Sequence, residues 1–376
     1  MRQGIARHTV EGVPDARVST YPFTTADGLT LHLTRFHRGD CDDVVLLLHG
    51  LTGSSDMFIM PEHRNLATHL LDDGFTDVWT LDFRMSNRFP YNTEPGDHTL
   101  DDVALHDHPA ALAELRRHIG QRRVHVFAHC LGSTTFAMSL AAGTVTGVSS
   151  LVSQSVALAV RVPSWSRWKL AFAPTLLEHV LGLSAVDPRM ADAAPFTRAW
   201  ALARLVSLGH PECDNHACNL VSFMWGAGWP ALYSHGNLAP ETHERIADLL
   251  GPTGVHYYRH IRKMARAGRA VRSDPADPRH AALPVDYLAE AAAVRTPVLF
   301  LTGADNHVFG DANVVCHREF ARHAPDRYEL AVLPGYGYID PVIGKDAHRD
   351  VFPLVCDFIR RRAGEPEQLD PSEPTT

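Results

Sequence analysis

The chain has 376 residues, 45% of them apolar and 21% charged, with a net charge of −8. That length supports a large core, either in one domain with an insertion or in two domains. Only three lysines occur (Lys169, Lys263, Lys345) and no basic run, which excludes a nucleic-acid partner, while no apolar run reaches the ~18 residues that cross a bilayer.

The opening residues carry no apolar leader segment, and the six cysteines lack framework spacing. A cytoplasmic location and free thiols are expected. Residues 1–20 read as a loose arm. Residues 21–25 and 29–37 read as a hairpin around Ala-Asp-Gly. Residues 43–49 (DVVLLLH) and 77–83 (DVWTLDF) are apolar runs that suit strands covered on both faces. Between them, 62–73 has helical periodicity and stops at Gly74. Thr99 can cap a helix reaching about Ile119, with Pro109 predicting a kink. Residues 123–128 and 147–153 read as further strands. This alternation predicts a parallel sheet with helices on both faces.

From 154 to 295 the pattern changes. Prolines and five of the six tryptophans gather here, among short helical pieces such as 195–208 and 240–250. The stretch reads as a helical cap inserted over the sheet, because sheet periodicity resumes at Pro297; the alternative is a second domain. Residues 296–301 and 327–333 read as strands, 312–323 and 345–362 as helices. The expected division is therefore an arm (1–20), a core (21–153 and 296–363), a cap (154–295) and a disordered tail (364–376).

The chemistry centres on 124–132, VHVFAHCLG. A β-branched strand ends in small residue, His, Cys, any residue, Gly, and a helix pattern follows. Strand, sharp turn and helix with a nucleophile at the tip resemble the nucleophile elbow of α/β-hydrolases, whose usual motif is G-x-S-x-G. Ala128 and Gly132 are small enough for the tight turn. Cys130 is the candidate nucleophile, and its place at a helix N-terminus predicts a lowered thiol pKa. The alternative is a structural cysteine. His129 is expected to be structural. In this fold the acid follows a later strand and the histidine the last one. Asp305, in TGADN, fits the acid. Tyr338, in LPGYGYIDP, stands where the histidine belongs. A thiol tolerates that loss better than a serine would, since a few per cent is thiolate at neutral pH. His348 and His307 are candidate substitute bases. The backbone N–H groups of Leu51 and Leu131 are the expected oxyanion donors.

Two patterns read as decoys. HPECDNHAC holds His210, Cys213, Asp214, His216 and Cys218 without the paired spacing of a zinc motif, so no metal is expected. GPTG at 251–254 has no phosphate-binding spacing, so no cofactor is expected.

With these parts placed, the chain resembles the esterase/lipase-like α/β-hydrolases found alone or fused to cholesterol-oxidase-type flavoproteins. The carrying stretches are HCLGSTTFAMSLAAGTVTGVSSLVSQS, LYSHGNLAPETHERIADLLG and LPGYGYIDPVIGKDAHRDVFP. The resemblance implies a mostly parallel α/β-hydrolase sheet and a cysteine nucleophile. It also implies a closing motif G-Y-G-H-x-D, in which Tyr338 here replaces histidine. Three functions remain open. One is esterase or acyltransferase chemistry on an apolar ester or thioester, including polyketide-like or carrier-bound substrates. Another is a non-hydrolytic lyase that eliminates an acyloxy group. The last is a non-catalytic binding protein.

Overall fold

The computed structural model describes residues 10–94, 96–176, 182, 185–210, 213–225 and 232–363. One sheet holds β1 (Arg17–Thr24), β2 (Thr30–His37), β3 (Asp43–Leu48), β4 (Asp77–Asp82), β5 (Arg123–His129), β6 (Ser150–Gln154), β7 (Val298–Gly303) and β8 (Tyr328–Leu333). Across the sheet their order is β1-β2-β4-β3-β5-β6-β7-β8. The β1–β2 and β2–β4 pairings are antiparallel and the rest are parallel. β4 and β6 are buried at every position, as continuous apolar strands between two helical layers should be.

Helices α1 (Leu66–Asp72), α2 (His108–Ile119) and α3 (Cys130–Ala141) connect the first strands. The Asn65 side chain accepts the Thr68 N–H at the start of α1, so this helix is shorter than the 62–73 periodicity suggests. α3 is buried at all its positions. It needs no polar stripe, because sheet and neighbouring helices enclose it. Helices α8 (Ala312–Ala321) and α9 (Phe352–Ala363) follow the cap described below.

Several expectations change. Val13 is buried and β1 already starts at Arg17, so residues 10–20 are not a loose arm. Residues 1–9 and the tail, 364–376, lie outside the described residues. The helix expected from Thr99 is interrupted by a π-helical turn, Val103–Asp107. Proline cannot donate to the preceding turn and its ring crowds the carbonyl four residues back; the widened turn falls just before Pro109 and relieves both. The helix expected over 345–362 is split into Ala347–Asp350 and α9, with Pro353 in the first turn of α9.

The cap contains α4 (Ser164–Thr175), α5 (Arg198–Leu208), α6 (His216–Trp225) and α7 (Val255–Ala267). A short antiparallel pair joins Ala185–Val186 to Thr253–Gly254. Cap residues Cys218, Leu232, Tyr258 and Met264 share one continuous apolar cluster with the sheet strands. A second, small cluster of Ala203, Val206 and Leu220 holds α5 on α6. Among the described residues, no helix is long and apolar enough to cross a membrane.

Candidate active site

Strained backbone collects at the C-terminal ends of three central strands. Thr52, Cys130 and Ser155 have φ of 65°, 56° and 78°, and they follow the adjacent strands β3, β5 and β6. Each non-glycine residue in that region costs on the order of 1–3 kcal/mol, so three together point to a constrained site. Cys130 is the first residue of α3, where the strand turns sharply into the helix. The turn is held close to the loop after β3. A Cβ on Gly132 would lie 2.1 Å from the His49 carbonyl oxygen, and one on Gly50 would lie 2.6 Å from Cys130 Cβ. Neither glycine tolerates a side chain without backbone movement.

The loop after β3 is fixed from several sides. His49, fully buried and stacked on Phe83, donates from Nδ1 to the Gly50 carbonyl at 2.7 Å. The Thr52 carbonyl accepts from Asn87 Nδ2 and from the cap residue Gly251 N, both at 2.9 Å. The GPTG turn thus serves as a cap-to-loop tie. Under these restraints the Leu51 and Leu131 N–H groups both point at the Cys130 sulfur, and the Tyr338 hydroxyl bonds to it as well. Even so, burial dominates: the thiol is 2% exposed and its pKa is pushed up to about 11. The lowering expected from the helix N-terminus is therefore overturned, because desolvation of the thiolate outweighs the three hydrogen bonds.

Tyr338 comes from the loop after β8. Asp340 accepts the Gly337 N–H at 2.9 Å, and Asn237 of the cap donates to Asp340 Oδ2 at 2.6 Å and to the Gly335 carbonyl at 2.8 Å. The Tyr338 carbonyl accepts from Ser155 Oγ at 2.6 Å and Gln154 Nε2 at 3.0 Å. Burial and the neighbouring thiol hold the phenol pKa well above its ordinary value, so Tyr338 stays protonated and is not a base. Its ring contacts those of His129 and Phe309, at 5.1 and 5.9 Å between centroids.

Two residues gain a role that sequence reasoning did not assign. His129 Nδ1 bonds to Gln154 Oε1. Since Gln154 spends its amide hydrogens on Ser155 and Tyr338, His129 must donate from Nδ1, which leaves Nε2 unprotonated. Burial lowers its pKa to about 4, and its ring lines the cavity beside Cys130. Tyr258, on α7, stacks on Trp225 and lies near enough to Cys130 and Tyr338 to feel their charge. Among the described residues its buried hydroxyl and the Trp225 Nε1–H have no hydrogen-bond partner. The H-C pair hinted at His129 in sequence; nothing local marked Tyr258. The cavity, lined also by Leu51, Leu232, Leu250 and Ile339, has room for little more than a water-sized sphere.

The other candidates fall elsewhere. Asp305 and His307 are exposed on the loop after β7. Their neighbour Asn306 turns inward instead, with Oδ1 accepting from Val308 N and Phe309 N at 3.0 and 3.1 Å. Among the described residues, Asp305 has no side-chain partner that would make it the acid of a triad. His348 sits on Ala347–Asp350, bonded to the Lys345 carbonyl at 3.0 Å and facing His63 and His69, not the thiol. A cluster that could hold a metal ion lies in the cap. Cys213 and Cys218 meet His235 and His243, their ligand atoms all within 4.8 Å of one another. HPECDNHAC supplied only half of that set, and the two histidines come from a later stretch.

Residues 43–192 match the family described as alpha/beta hydrolase fold. Over 124 residues the chain is 30% identical to gastric triacylglycerol lipase of Bos taurus, and over 128 residues 30% identical to lipase member K of Homo sapiens. Those stretches are 29% and 30% of this chain, and the chain spans only about a third of either relative, 31% and 32%. Among solved structures, a highly thermostable carboxyl esterase from Bacillus coagulans aligns with a TM-score of 0.58 at 14% identity, covering 92% of this chain and 99% of that one. A thermophilic esterase from Thermogutta terrifontis aligns at 0.53 and 15% identity, covering 92% and 99%. Strand order, a sharp turn after β5 and these likenesses agree: the chain has the α/β-hydrolase fold.

Proposed function

We propose that the chain is an enzyme that acts on the carbonyl of an apolar ester or thioester through Cys130. The observation that carries this reading is the convergence on one sulfur, at a strained φ of 56°, of the Leu51 and Leu131 N–H groups. A structural cysteine needs no such strain. Esterase and lipase activities of the similar proteins support it by analogy.

In this reading the thiol proton leaves as sulfur adds to the carbonyl carbon. We assign the base to His129 Nε2, unprotonated on the wall of the same cavity, because Tyr338 is held protonated. The carbonyl oxygen becomes an oxyanion and takes over the Leu51 and Leu131 N–H bonds. As the tetrahedral adduct collapses, the bond to the leaving alcohol or thiol breaks, and that group takes the proton from His129. A thioester on Cys130 remains, for water or an acceptor to cleave. The Tyr338 hydroxyl stabilises sulfur while it is charged. Tyr258 and Trp225 offer hydrogen bonds to a polar group of the substrate, and the leucines take its apolar part. A polyketide-like or carrier-bound acyl group fits that division. Because the cavity holds little more than a water-sized sphere, a substrate requires it to widen.

A second reading keeps the pocket and changes the reaction. The Tyr338 hydroxyl bonds to the thiol and Tyr258 lies near it, both held protonated, a set suited to protonating a departing carboxylate in an acyloxy elimination. The products separate the readings: acid plus alcohol or thiol in one, acid plus alkene in the other.

The test is the intact mass of wild type and Cys130→Ala after incubation with p-nitrophenyl esters and acyl thioesters. An acyl adduct on wild type alone supports the reading. No adduct and no released nitrophenol or thiol refutes it and favours elimination or a binding role.

A further inference from the structure

We propose that Cys213, Cys218, His235 and His243 form a structural zinc site that fastens the cap to the loop bearing Tyr338. It is independent of the reaction assigned to Cys130.

The geometry matches before any ion is placed. Cys218 Sγ lies 3.4 Å from His235 Nε2, and Cys213 Sγ lies 3.7 Å from His243 Nε2. With zinc bonds of about 2.3 Å to sulfur and 2.0–2.1 Å to nitrogen, a tetrahedron has an S···N edge of about 3.6 Å. Both pairs fall beside that value, and all four ligand atoms lie within 4.8 Å of each other. Two thiolates and two imidazoles in a tetrahedron select zinc among common divalent ions. Four protein ligands leave no open position, so the role is structural.

The surroundings suit a metal. Asn215 caps the start of α6, its Oδ1 accepting from Ala217 N and Cys218 N at 3.0 and 3.1 Å. Cys218 therefore sits in the first turn, where the helix dipole favours a thiolate. The Tyr233 hydroxyl donates to Cys218 Sγ at 2.9 Å, the outer bond a metal thiolate takes. The two imidazoles present their Nε2 atoms to the two sulfurs.

The site is coupled to the candidate active site through a short path. Asn237, two residues past His235, donates to Gly335 and Asp340 in the Tyr338 loop, and its carbonyl accepts Lys345 N at 2.8 Å. The same α6 that carries Cys218 ends at Trp225, in the cavity wall. Binding one ion would thus fix both the cavity wall and the loop that places the phenol.

The experiment is metal analysis of the tag-free full chain, with cobalt exchange. Mass spectrometry of the digested protein is expected to find about one zinc per chain. Cobalt is expected to give thiolate-to-cobalt charge transfer in the near ultraviolet and the visible bands of a tetrahedral centre. Cys130→Ala is expected to keep the zinc, while Cys218→Ser and His243→Ala lose it. Wild type that takes up neither zinc nor cobalt with that spectrum overturns the site. So does a Cys213–Cys218 disulfide, seen as an intact mass two hydrogens short, or full zinc in the Cys213→Ser/Cys218→Ser variant. The wild-type cobalt spectrum decides the matter even if every ligand variant fails to fold.

Discussion

Two sulfur sites in this molecule share much and differ where it counts. Cys130 and Cys218 are both buried, and both stand in the first turn of a helix. Around Cys130 are backbone donors, one phenol on the sulfur and apolar walls. Around Cys218 and Cys213 are two imidazole nitrogens at 3.4 and 3.7 Å. Cys316, a core cysteine without strain, has its pKa pushed by burial up to about 12, close to the value of about 11 for Cys130. A high pKa therefore does not separate a reactive thiol from an inert one. Backbone N–H groups reach both sulfurs, so what separates Cys130 from Cys316 is backbone strain and the Tyr338 hydroxyl on its sulfur; what separates the cap pair is a partner able to share a cation.

The sharpest way to break the comparison is Cys130→Ala. If the sulfur is a covalent nucleophile, kcat/KM for an accepted ester falls on the order of 10⁶-fold. A fall of less than about tenfold would make Cys130 a second Cys316, a wall and nothing more. Alkylation gives an independent check. Burial pushes the Cys130 pKa up to about 11, so at pH 7 very little of the thiol is ionised. Its reaction with iodoacetamide should rise about tenfold per pH unit towards pH 11, whereas an ordinary thiol levels off near pH 8.5. Peptide mapping of alkylated protein between pH 7 and 10 would read this directly.

Removing metal tests the other half. A chelator strong enough to strip zinc is expected to lower Tm by roughly 10 °C and to leave Cys130→Ala as sensitive as wild type. Calorimetry with and without re-added zinc measures it. An unchanged Tm would reduce the cap cluster to four neighbouring side chains.

Tyr338→Phe is the next effect in size. Losing the hydroxyl on sulfur is expected to reduce turnover about 10²-fold while the fold persists. Tyr338→His places an imidazole there and should raise hydrolysis of simple esters above the wild-type rate. A Phe variant as active as wild type would remove Tyr338 from the chemistry.

The sheet was legible because its strands are continuous β-branched runs that end in turn signals, and such local patterns survive in the sequence. The elbow was legible for the same reason: strand, small residues and helix are adjacent. The zinc ligands were not, since 213–218 and 235–243 are separate segments that only the folded cap brings together. Nor was Tyr258, whose relevance depends on α7 crossing above Cys130. Burial misled in the opposite direction. The helix N-terminus could be read from sequence, but the desolvation that overrides it could not.

Asp305 shows the same limit in a single residue and carries the smallest expected effect. Its place after β7 is where an α/β-hydrolase acid belongs, so sequence position alone names it. The loop, however, is organised by Asn306, which ties itself to Thr302 and to the Ser155 carbonyl at 3.2 and 3.3 Å and so leaves Asp305 facing solvent. An exposed carboxylate that, among the described residues, has no side-chain partner contributes little to either stability or turnover. Asp305→Asn should therefore change ΔG of unfolding by less than about 0.5 kcal/mol and kcat by less than about twofold, while Asn306→Ala, which releases four hydrogen bonds, costs about 2–3 kcal/mol. Urea titration and steady-state kinetics of the two variants measure both. A large loss of kcat in Asp305→Asn alone would mean that the loop turns over in the working enzyme and brings the carboxylate in. The acid would then belong beside His129 or Tyr338, and the thiol would be part of a triad after all.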